Sequence, residues 1–187
     1  MPIAVHKTQI GGVLLFSHHI YRDHRGVYSK CYEKEMFKQF GILDDFTEAS
    51  DLYSKKGALR GLHYQSMYSQ AKLVRVLRGK IFDVALDLRK QSPTFGKYFC
   101  QILSPEAYQS IYVPSGFAHG FISLEDDTIF SYLCSGKYDP KSAGGIFWND
   151  PDLSIPWPLS EYGIKEVIAT EKDLSWPSFN DFVKDSF

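Results

Sequence analysis

An arginine and a histidine lie three residues apart in the segment GALRGLHYQ, at positions 57–65. The apolar residues around Arg60 and His63, such as Leu59 and Leu62, are typical of a buried β-strand. A histidine has an ordinary pKa of about 6.5, so it can act as a base near neutral pH. A core histidine held by a single hydrogen bond is the competing interpretation.

Other residue types in the chain would complete a proton-transfer site around His63. A carboxylate would fix the histidine tautomer, and Tyr132, whose ordinary pKa is about 10, could return a proton from another direction. Lys72 would supply positive charge where an enolate oxygen develops. These parts remove a proton beside a ketone and replace it on the opposite face, which is epimerisation without a cofactor. Their spacing alone does not distinguish this site from a core histidine with separate surface charges.

Basic side chains recur at strand ends and turns, and together they could hold an anionic ligand. They are Arg25, Arg60, Lys72, His119 and Lys172. Singly, each is typical of a solvated surface charge. Arg60 and Lys72 adjoin strands that should be mostly buried, and a desolvated cation requires an anion. A diphosphate would supply that anion, and arginine matches its geometry with paired hydrogen bonds.

The segment VPSGFAHGF, which ends just after His119, carries the P-x-G-x-x-H pattern of the second motif of cupin barrels. In cupins this histidine is often a metal ligand. The first cupin motif would require two histidines separated by one residue and a glutamate soon after, but the segment GLHYQSMYSQ has one histidine and no nearby glutamate. Two scattered histidines make a poor metal site. The sequence therefore predicts a cupin-like barrel without a bound metal.

Composition narrows the class of protein. A chain of 187 residues, 44% apolar and 23% charged, predicts one globular domain over residues 1–187. Aromatic residues make up 16%, which suits an all-β fold. A net charge of −1 provides no general attraction to nucleic acid or to a membrane. Three cysteines without a CxxC pair, together with the lack of a signal-peptide pattern, indicate the cytoplasm.

Short strand-like segments separated by turn residues run from about residue 10 to residue 135, and they predict the barrel core. Because helices do not interleave with these segments, we expect an all-β, cupin-like jelly-roll barrel with a few short peripheral helices. EKEMFKQFG predicts one helix ending at Gly41. Residues 136–187 predict an irregular cover with short C-terminal helices. Alternation in IFDVALDLR places Asp83 and Asp87 on one face, which is either solvated or lines a polar cavity.

Several long segments resemble the dTDP-4-dehydrorhamnose 3,5-epimerase family, in that family's order and spacing. They are ALRGLHYQ, AKLVRVLRGKIFDVALDLRKQSPTFGKY, VPSGFAHGF and GIFWNDPDLSIPWP. The resemblance spans roughly residues 10–175, and several long motifs in register are far more specific than one short pattern. It implies a jelly-roll fold, a homodimer, no metal and a nucleotide-linked 4-keto sugar as substrate. Deoxysugar biosynthesis, including that of lipopolysaccharide O-antigen, is the implied process.

The resemblance also implies site residues. His63 matches the base, Tyr132 the general acid and Asp173 the aspartate paired with the base. The substrate-holding positions match Lys72, Arg60, His119, Lys172 and Arg25, and Tyr138 matches the aromatic residue that stacks on the nucleotide base. Two questions stay open. Strict alternation places Arg60 and His63 on opposite strand faces unless Gly61 allows a bulge, and Asp83 could orient His63 in place of Asp173.

The chain departs from the family where the nucleotide is held. Lys30 replaces a usual glutamate, EASDL brings Glu48, Ser50 and Leu52 into a Q-x-N-x-S segment, and Ala143 replaces another glutamate. Altered polar pairing changes specificity. One alternative is therefore a CDP-linked 4-keto-3,6-dideoxyhexose 5-epimerase. A ketoisomerase, a non-catalytic sugar-nucleotide-binding jelly roll and a metal-dependent cupin are the others.

Overall fold

The computed structural model describes residues 3–185, and most strands belong to two facing antiparallel sheets. From edge to edge, the six-stranded sheet contains β1 (Ile3–Lys7), β2 (Leu14–His18), β10 (Gln109–Val113), β7 (Lys72–Arg78), β12 (Thr128–Ser135) and β5 (Phe46–Ser54). The five-stranded sheet contains β13 (Ala143–Gly145), β6 (Leu59–Gln65), β11 (Phe117–Ser123), β8 (Ile81–Asp87) and β9 (Tyr98–Leu103). A separate hairpin consists of β3 (Ile20–Asp23) and β4 (Gly26–Ser29).

Alternating side chains on these strands form three apolar clusters. The central cluster fills the space between the sheets, where Val74 and Ile111 of one sheet share a cluster with Ala85 and Phe121 of the other. A second cluster lies on the outer face of the five-stranded sheet beneath the irregular cover after β13. The third packs the outer face of the six-stranded sheet against the helix around Phe37. This layering is the architecture of a jelly roll.

The helices are short and peripheral. They are α1 (Lys34–Lys38), α2 (Glu171–Leu174) and α3 (Phe179–Asp185), with a 3₁₀ turn over Pro105–Ala107. Gly41 follows α1 with a φ of +83° and donates its amide to the carbonyl of Lys38, so it ends this helical region as expected. Within residues 3–185, no helix is long and apolar enough to cross a membrane.

Three strands were not foreseen. β1 and β13 lie outside the range of about 10–135 that the sequence assigns to the barrel core, and both extend its sheets. β5 lies inside that range, but its segment FTEASDLYS alternates exposed and half-buried side chains and lacks the apolar run that marked the other strands. As an edge strand, β5 is held mainly by backbone pairing with β12.

The acidic face of β8 is buried, so the solvated alternative is wrong. Asp83 and Asp87 are 1% and 0% exposed. Burial by itself raises the pKa of Asp87, but hydrogen bonds from Arg89, Ser92 and Thr94 outweigh that effect and bring the pKa down to about 2. Asp87 therefore fixes the turn after β8, which leaves Asp83 as the acid of this strand that faces the site.

Candidate active site

A cavity of about 590 Å³ opens between the two sheets. β5, β7 and β12 form one wall, β6 and β11 form the opposite wall, and the segment around α2 closes one side. The residues singled out from the sequence that line it include Glu48, Arg60, His63, Lys72, His119, Tyr132, Tyr138, Lys172 and Asp173. The fold thus gathers into one pocket residues that lie up to 125 positions apart, from Glu48 to Asp173.

His63 is paired with Asp173, which answers the question of which acid orients it. The His63 Nε2 atom lies 2.5 Å from the Asp173 Oδ1 atom. The Asp173 side chain is buried, whereas the His63 ring stays accessible from the cavity. An ionised carboxylate only accepts hydrogen bonds, so Nε2 carries the proton and Nδ1 is the basic nitrogen.

The helix α2 holds Asp173 in place through its own N-terminus. The Thr170 hydroxyl accepts a hydrogen bond from the Asp173 amide at 3.1 Å and donates to the Asp173 Oδ2 atom at 2.8 Å. The Trp176 Nε1–H donates to Oδ1 at 3.3 Å. The sequence analysis missed Thr170 and Trp176. The segment TEKD, with its threonine three residues before an acid, resembles a capping box and could have pointed to Thr170.

The pKa of His63 is lowered from its ordinary 6.5, chiefly because burial disfavours the charged imidazolium. Asp173 acts against this shift by hydrogen bonding and by its charge, while nearby Lys72 and His119 add to the lowering. The imidazole is therefore neutral and able to accept a proton at neutral pH. When it does so, Asp173 stabilises the cation that forms.

His119 belongs to a second, separate pair. Its Nε2 atom lies 2.9 Å from the Asp83 Oδ2 atom, and both side chains are almost completely buried. The other oxygen of Asp83 has no hydrogen-bond partner among residues 3–185. Each histidine of the pocket is thus bound to its own carboxylate. In the described part of the chain, no three metal-ligating side chains cluster closely enough to hold a metal ion.

A β-bulge at Gly61 brings Arg60 and His63 to the same cavity. On β11, His119 pairs with His63 and Phe121 pairs with Arg60, so β6 contains one extra residue in this interval. The extra residue reverses the in–out alternation of side chains along β6. Arg60 and His63, which strict alternation places on opposite faces, therefore face the same side. Gly61 has a φ of +134°, and a Cβ atom added there would lie 2.5 Å from the Cα atom of Gly120. Only glycine fits this close approach.

The two expected cations differ in burial. Lys72 lies inside the pocket, and burial lowers the pKa of its ammonium group. No carboxylate within residues 3–185 forms an ion pair with it, so its charge is available to a ligand. Arg60 is exposed, and the expectation that it is desolvated is wrong. Its contacts to Ser54 and Tyr53 are long, at 3.4 Å each, which leaves its guanidinium free for bidentate binding.

Tyr132 approaches from the wall opposite His63. It lies on β12 of the six-stranded sheet, whereas His63 lies on β6 of the five-stranded sheet. Burial raises the pKa of the Tyr132 hydroxyl, and the neighbouring Ser50 of β5 partly offsets that increase. The hydroxyl is therefore protonated throughout the neutral range. A base on one wall and a proton donor on the other can serve the two faces of a flat intermediate.

Comparison with known proteins identifies the family. The family model described as dTDP-4-dehydrorhamnose 3,5-epimerase matches residues 7–181. The chain belongs to this family. A dTDP-4-dehydrorhamnose 3,5-epimerase of Methanothermobacter thermautotrophicus is 41% identical over 170 residues, 91% of each chain. The expectation of an isomerase, an epimerase acting on carbohydrates, is confirmed.

Solved structures of the epimerase family share the fold. The Legionella pneumophila dTDP-6-deoxy-D-glucose-3,5-epimerase, in complex with dTDP-4-keto-L-rhamnose, superposes with a TM-score of 0.90 at 40% identity, covering 95% of this chain and 93% of that one. A 3'-monoepimerase from Streptomyces bikiniensis, in complex with dTDP-quinovose, superposes with a TM-score of 0.88 at 32% identity, covering 97% and 90%. The all-β, cupin-like jelly-roll prediction is confirmed.

Arg25 is the one predicted site residue of this epimerase-family chain that lies far from the cavity. It occupies the turn of the β3–β4 hairpin, where it is exposed and forms an ion pair with Asp23 at 2.6 Å. Tyr21, Val27 and Tyr28 of the same hairpin are also exposed. Within one chain, therefore, Arg25 does not contribute to the pocket.

The positions that depart from the epimerase family fall in two places. Glu48 and Ala143 line the cavity, and Ser50 lies next to it with its hydroxyl 2.8 Å from the Glu48 carboxylate. Lys30 does not line the cavity and forms a surface ion pair with Glu33. Gln70 lines the cavity too, and the sequence analysis missed it. Its amide nitrogen is buried and has no hydrogen-bond partner among residues 3–185, so it is available as a donor to a ligand.

Proposed function

We propose that the protein is a cofactor-independent epimerase of a nucleotide-diphospho-4-keto-6-deoxy sugar, with a dTDP-linked sugar as the main candidate. The placement of the His63–Asp173 pair and Tyr132 on opposite walls of one pocket carries the proposal. A sugar ring between them would present one face to the base and the other to the acid. The confirmed family supports this assignment.

The proposed reaction uses three groups. His63 removes the proton from the carbon beside the C4 ketone. The electron pair of the broken C–H bond moves towards the ketone oxygen and forms an enolate. The Lys72 ammonium stabilises that oxygen. As the enolate collapses, Tyr132 donates its proton to the same carbon from the other face, which inverts the stereocentre. Asp173 fixes the tautomer of His63 and stabilises its charged form.

The remaining pocket residues would hold the substrate. Arg60 and Lys172 supply positive charge suited to a diphosphate, and Arg60 offers paired donors. The exposed ring of Tyr138 stands at the rim, where it could stack on the nucleotide base. His119, Glu48 and Ser50 complete the proposed binding set.

The nucleotide and the carbon atom are open within this proposal. A carboxylate at Glu48 and the short side chain of Ala143 alter the charge and the room in the pocket. These two features favour the second candidate, a CDP-linked 4-keto-3,6-dideoxyhexose epimerised at C5 only. Specificity set by buried polar contacts changes strongly when one partner changes.

We also propose a homodimer that works in the cytoplasm. The β3–β4 hairpin exposes Tyr21, Val27 and Tyr28, an apolar surface that a second copy would cover. In such a dimer, the hairpin would bring Arg25 to the pocket of the other subunit. The three cysteines are free thiols, which suits a reducing compartment.

Solvent proton exchange followed by NMR in deuterium oxide tests the function. The protein would be offered dTDP-4-keto-6-deoxyglucose and, separately, its CDP-linked and 3-deoxy counterparts. Deuterium at C3 and C5 of the dTDP sugar would support a 3,5-epimerase. Exchange at one carbon, or only with a CDP sugar, would support the second candidate, and no exchange by folded protein would support a binding module.

Two variants sharpen the result. His63→Ala should abolish exchange without unfolding the protein, since the ring is accessible from the cavity rather than packed in the core. His6→Ala, which changes an exposed histidine on β1, is the matched control and should exchange like the wild type. Unchanged exchange in His63→Ala would refute the proposed base.

A further inference from the structure

The proton donor Tyr132 shares one face of the sheet with two polar side chains of the neighbouring strand. In the β12–β5 pairing, Tyr132 lies opposite Ser50, and Cys134 lies opposite Glu48. Residues directly opposite each other on antiparallel strands project to the same face. Ser50 therefore lies beside Tyr132 and lowers the pKa of its hydroxyl, and the Ser50 hydroxyl donates to the Glu48 Oε1 atom at 2.8 Å. Glu48 is exposed at the mouth of the cavity.

Each inversion leaves Tyr132 without its hydroxyl proton. After Tyr132 gives its proton to carbon, it is a phenolate in a buried pocket, and it must recover a proton before the next inversion. A serine hydroxyl can accept a hydrogen bond and donate another at the same time. A carboxylate exchanges protons rapidly with water, because its ordinary pKa is only about 4.3.

We propose that Ser50 and Glu48 form a proton relay that reprotonates Tyr132, an inference that rests on the proposed epimerase function. Glu48 takes a proton from solvent and passes it to the Ser50 oxygen as Ser50 passes its own proton to the Tyr132 phenolate. Each O–H bond that breaks is matched by one that forms, and Ser50 ends as a neutral hydroxyl. Because a phenolate is a far stronger base than a carboxylate, the transfer runs downhill.

A relay would affect inversion without affecting exchange with retention, whereas loss of an ordinary binding residue would slow both. His63 can return its proton to the same face, which exchanges hydrogen with solvent while the configuration is retained. Inversion requires that the Tyr132 hydroxyl is protonated. Loss of the relay should therefore lower the ratio of repeated inversion to exchange with retention.

The test is rapid-quench and steady-state turnover of dTDP-4-keto-6-deoxyglucose in deuterium oxide by Ser50→Ala and Glu48→Gln. We expect one rapid inversion per site, followed by steady-state inversion that is about tenfold slower relative to exchange with retention than in the wild type. Ser50→Thr keeps the hydroxyl and should restore the rate. The double variant should be no slower than either single variant, since both changes break one chain.

Asp51→Asn is the matched control, because it removes a carboxylate from the same strand on the opposite, exposed face. Its turnover should equal that of the wild type. A raised KM with the wild-type ratio of inversion to exchange would overturn the relay and leave Glu48 and Ser50 as binding residues. Slow inversion from the first turnover would also overturn it. If the wild type itself neither exchanges nor inverts, the proposed function fails before the relay is tested.

Discussion

His63 and His119 lie directly opposite each other on the adjacent strands β6 and β11, yet their carboxylate partners come from different parts of the chain. Asp173 approaches His63 from α2 in the C-terminal cover, and Asp83 approaches His119 from β8 inside the sheet. The two pairs have the same chemical composition but different access to the cavity. Only the His63 ring combines a buried carboxylate with accessibility to a substrate.

Asparagine substitutions separate the two pairs. Asp173→Asn removes the charge that stabilises the His63 imidazolium, and we expect kcat to fall about a hundredfold or more with a small change in KM. Asp83→Asn leaves the His63–Asp173 pair intact but disturbs a buried hydrogen bond, so we expect a loss of about 1–3 kcal/mol in the free energy of unfolding. NMR turnover assays and urea titrations measure the two effects. An equal loss of kcat in both variants would contradict the separate roles.

The pH dependence of kcat/KM should report the pKa of His63. That pKa lies below 6.5, mainly because of burial, so activity should be constant at neutral pH and fall only as the pH drops through the lowered value. Asp173 raises the pKa of His63, so the acidic limb in Asp173→Asn should move to lower pH while the maximum falls. The same shift should destabilise the fold as the pH falls below 6.5, since the unfolded state then binds more protons. A limb that stays in place would show that another group titrates.

Subunit mixing tests whether Arg25 acts on a neighbouring subunit. Arg25 lies on the exposed hairpin and away from its own cavity, so Arg25→Ala and His63→Ala should each be inactive as homodimers. In a mixed dimer, one site contains both His63 from one chain and Arg25 from the other. Mixing the two inactive variants under exchange conditions should therefore restore activity. Activity that stays absent in verified mixed dimers would place Arg25 outside the site.

The sequence predicted which residues would meet in one pocket better than it predicted their geometry. The strands β8 and β12 could be predicted from the sequence, because the period of their apolar residues reflects the core that they face. β5 could not be predicted from the sequence, since its mostly exposed side chains form no apolar pattern. The choice between Asp83 and Asp173 depended on which strand lies beside which, and only tertiary structure determines that. Arg60 was expected to be desolvated because it adjoins a buried strand, but the bulge turns it towards the open cavity.

The Gly61 bulge is the geometric feature on which the pocket depends, and Gly61→Ala tests it. An alanine Cβ would lie 2.5 Å from the Gly120 Cα atom and 2.9 Å from the His119 carbonyl oxygen, and both neighbours are backbone that cannot move aside cheaply. We expect a loss of at least about 3 kcal/mol in the free energy of unfolding, measured by urea denaturation.

Gly136→Ala is the control for Gly61→Ala. Gly136 has a positive φ of +69°, and no atom of the described residues lies within 4 Å of an added Cβ. The variant should therefore lose only the cost of the backbone conformation, about 1–2 kcal/mol. If enough Gly61→Ala protein folds for assay, its register should shift so that Arg60 and His63 no longer face one cavity, and KM and kcat should both worsen. Equal stability of the two variants would show that the close approach of β6 to β11 is not what requires glycine here. A folded Gly61→Ala protein with wild-type kinetics would show that the bulge does not set the relative positions of Arg60 and His63.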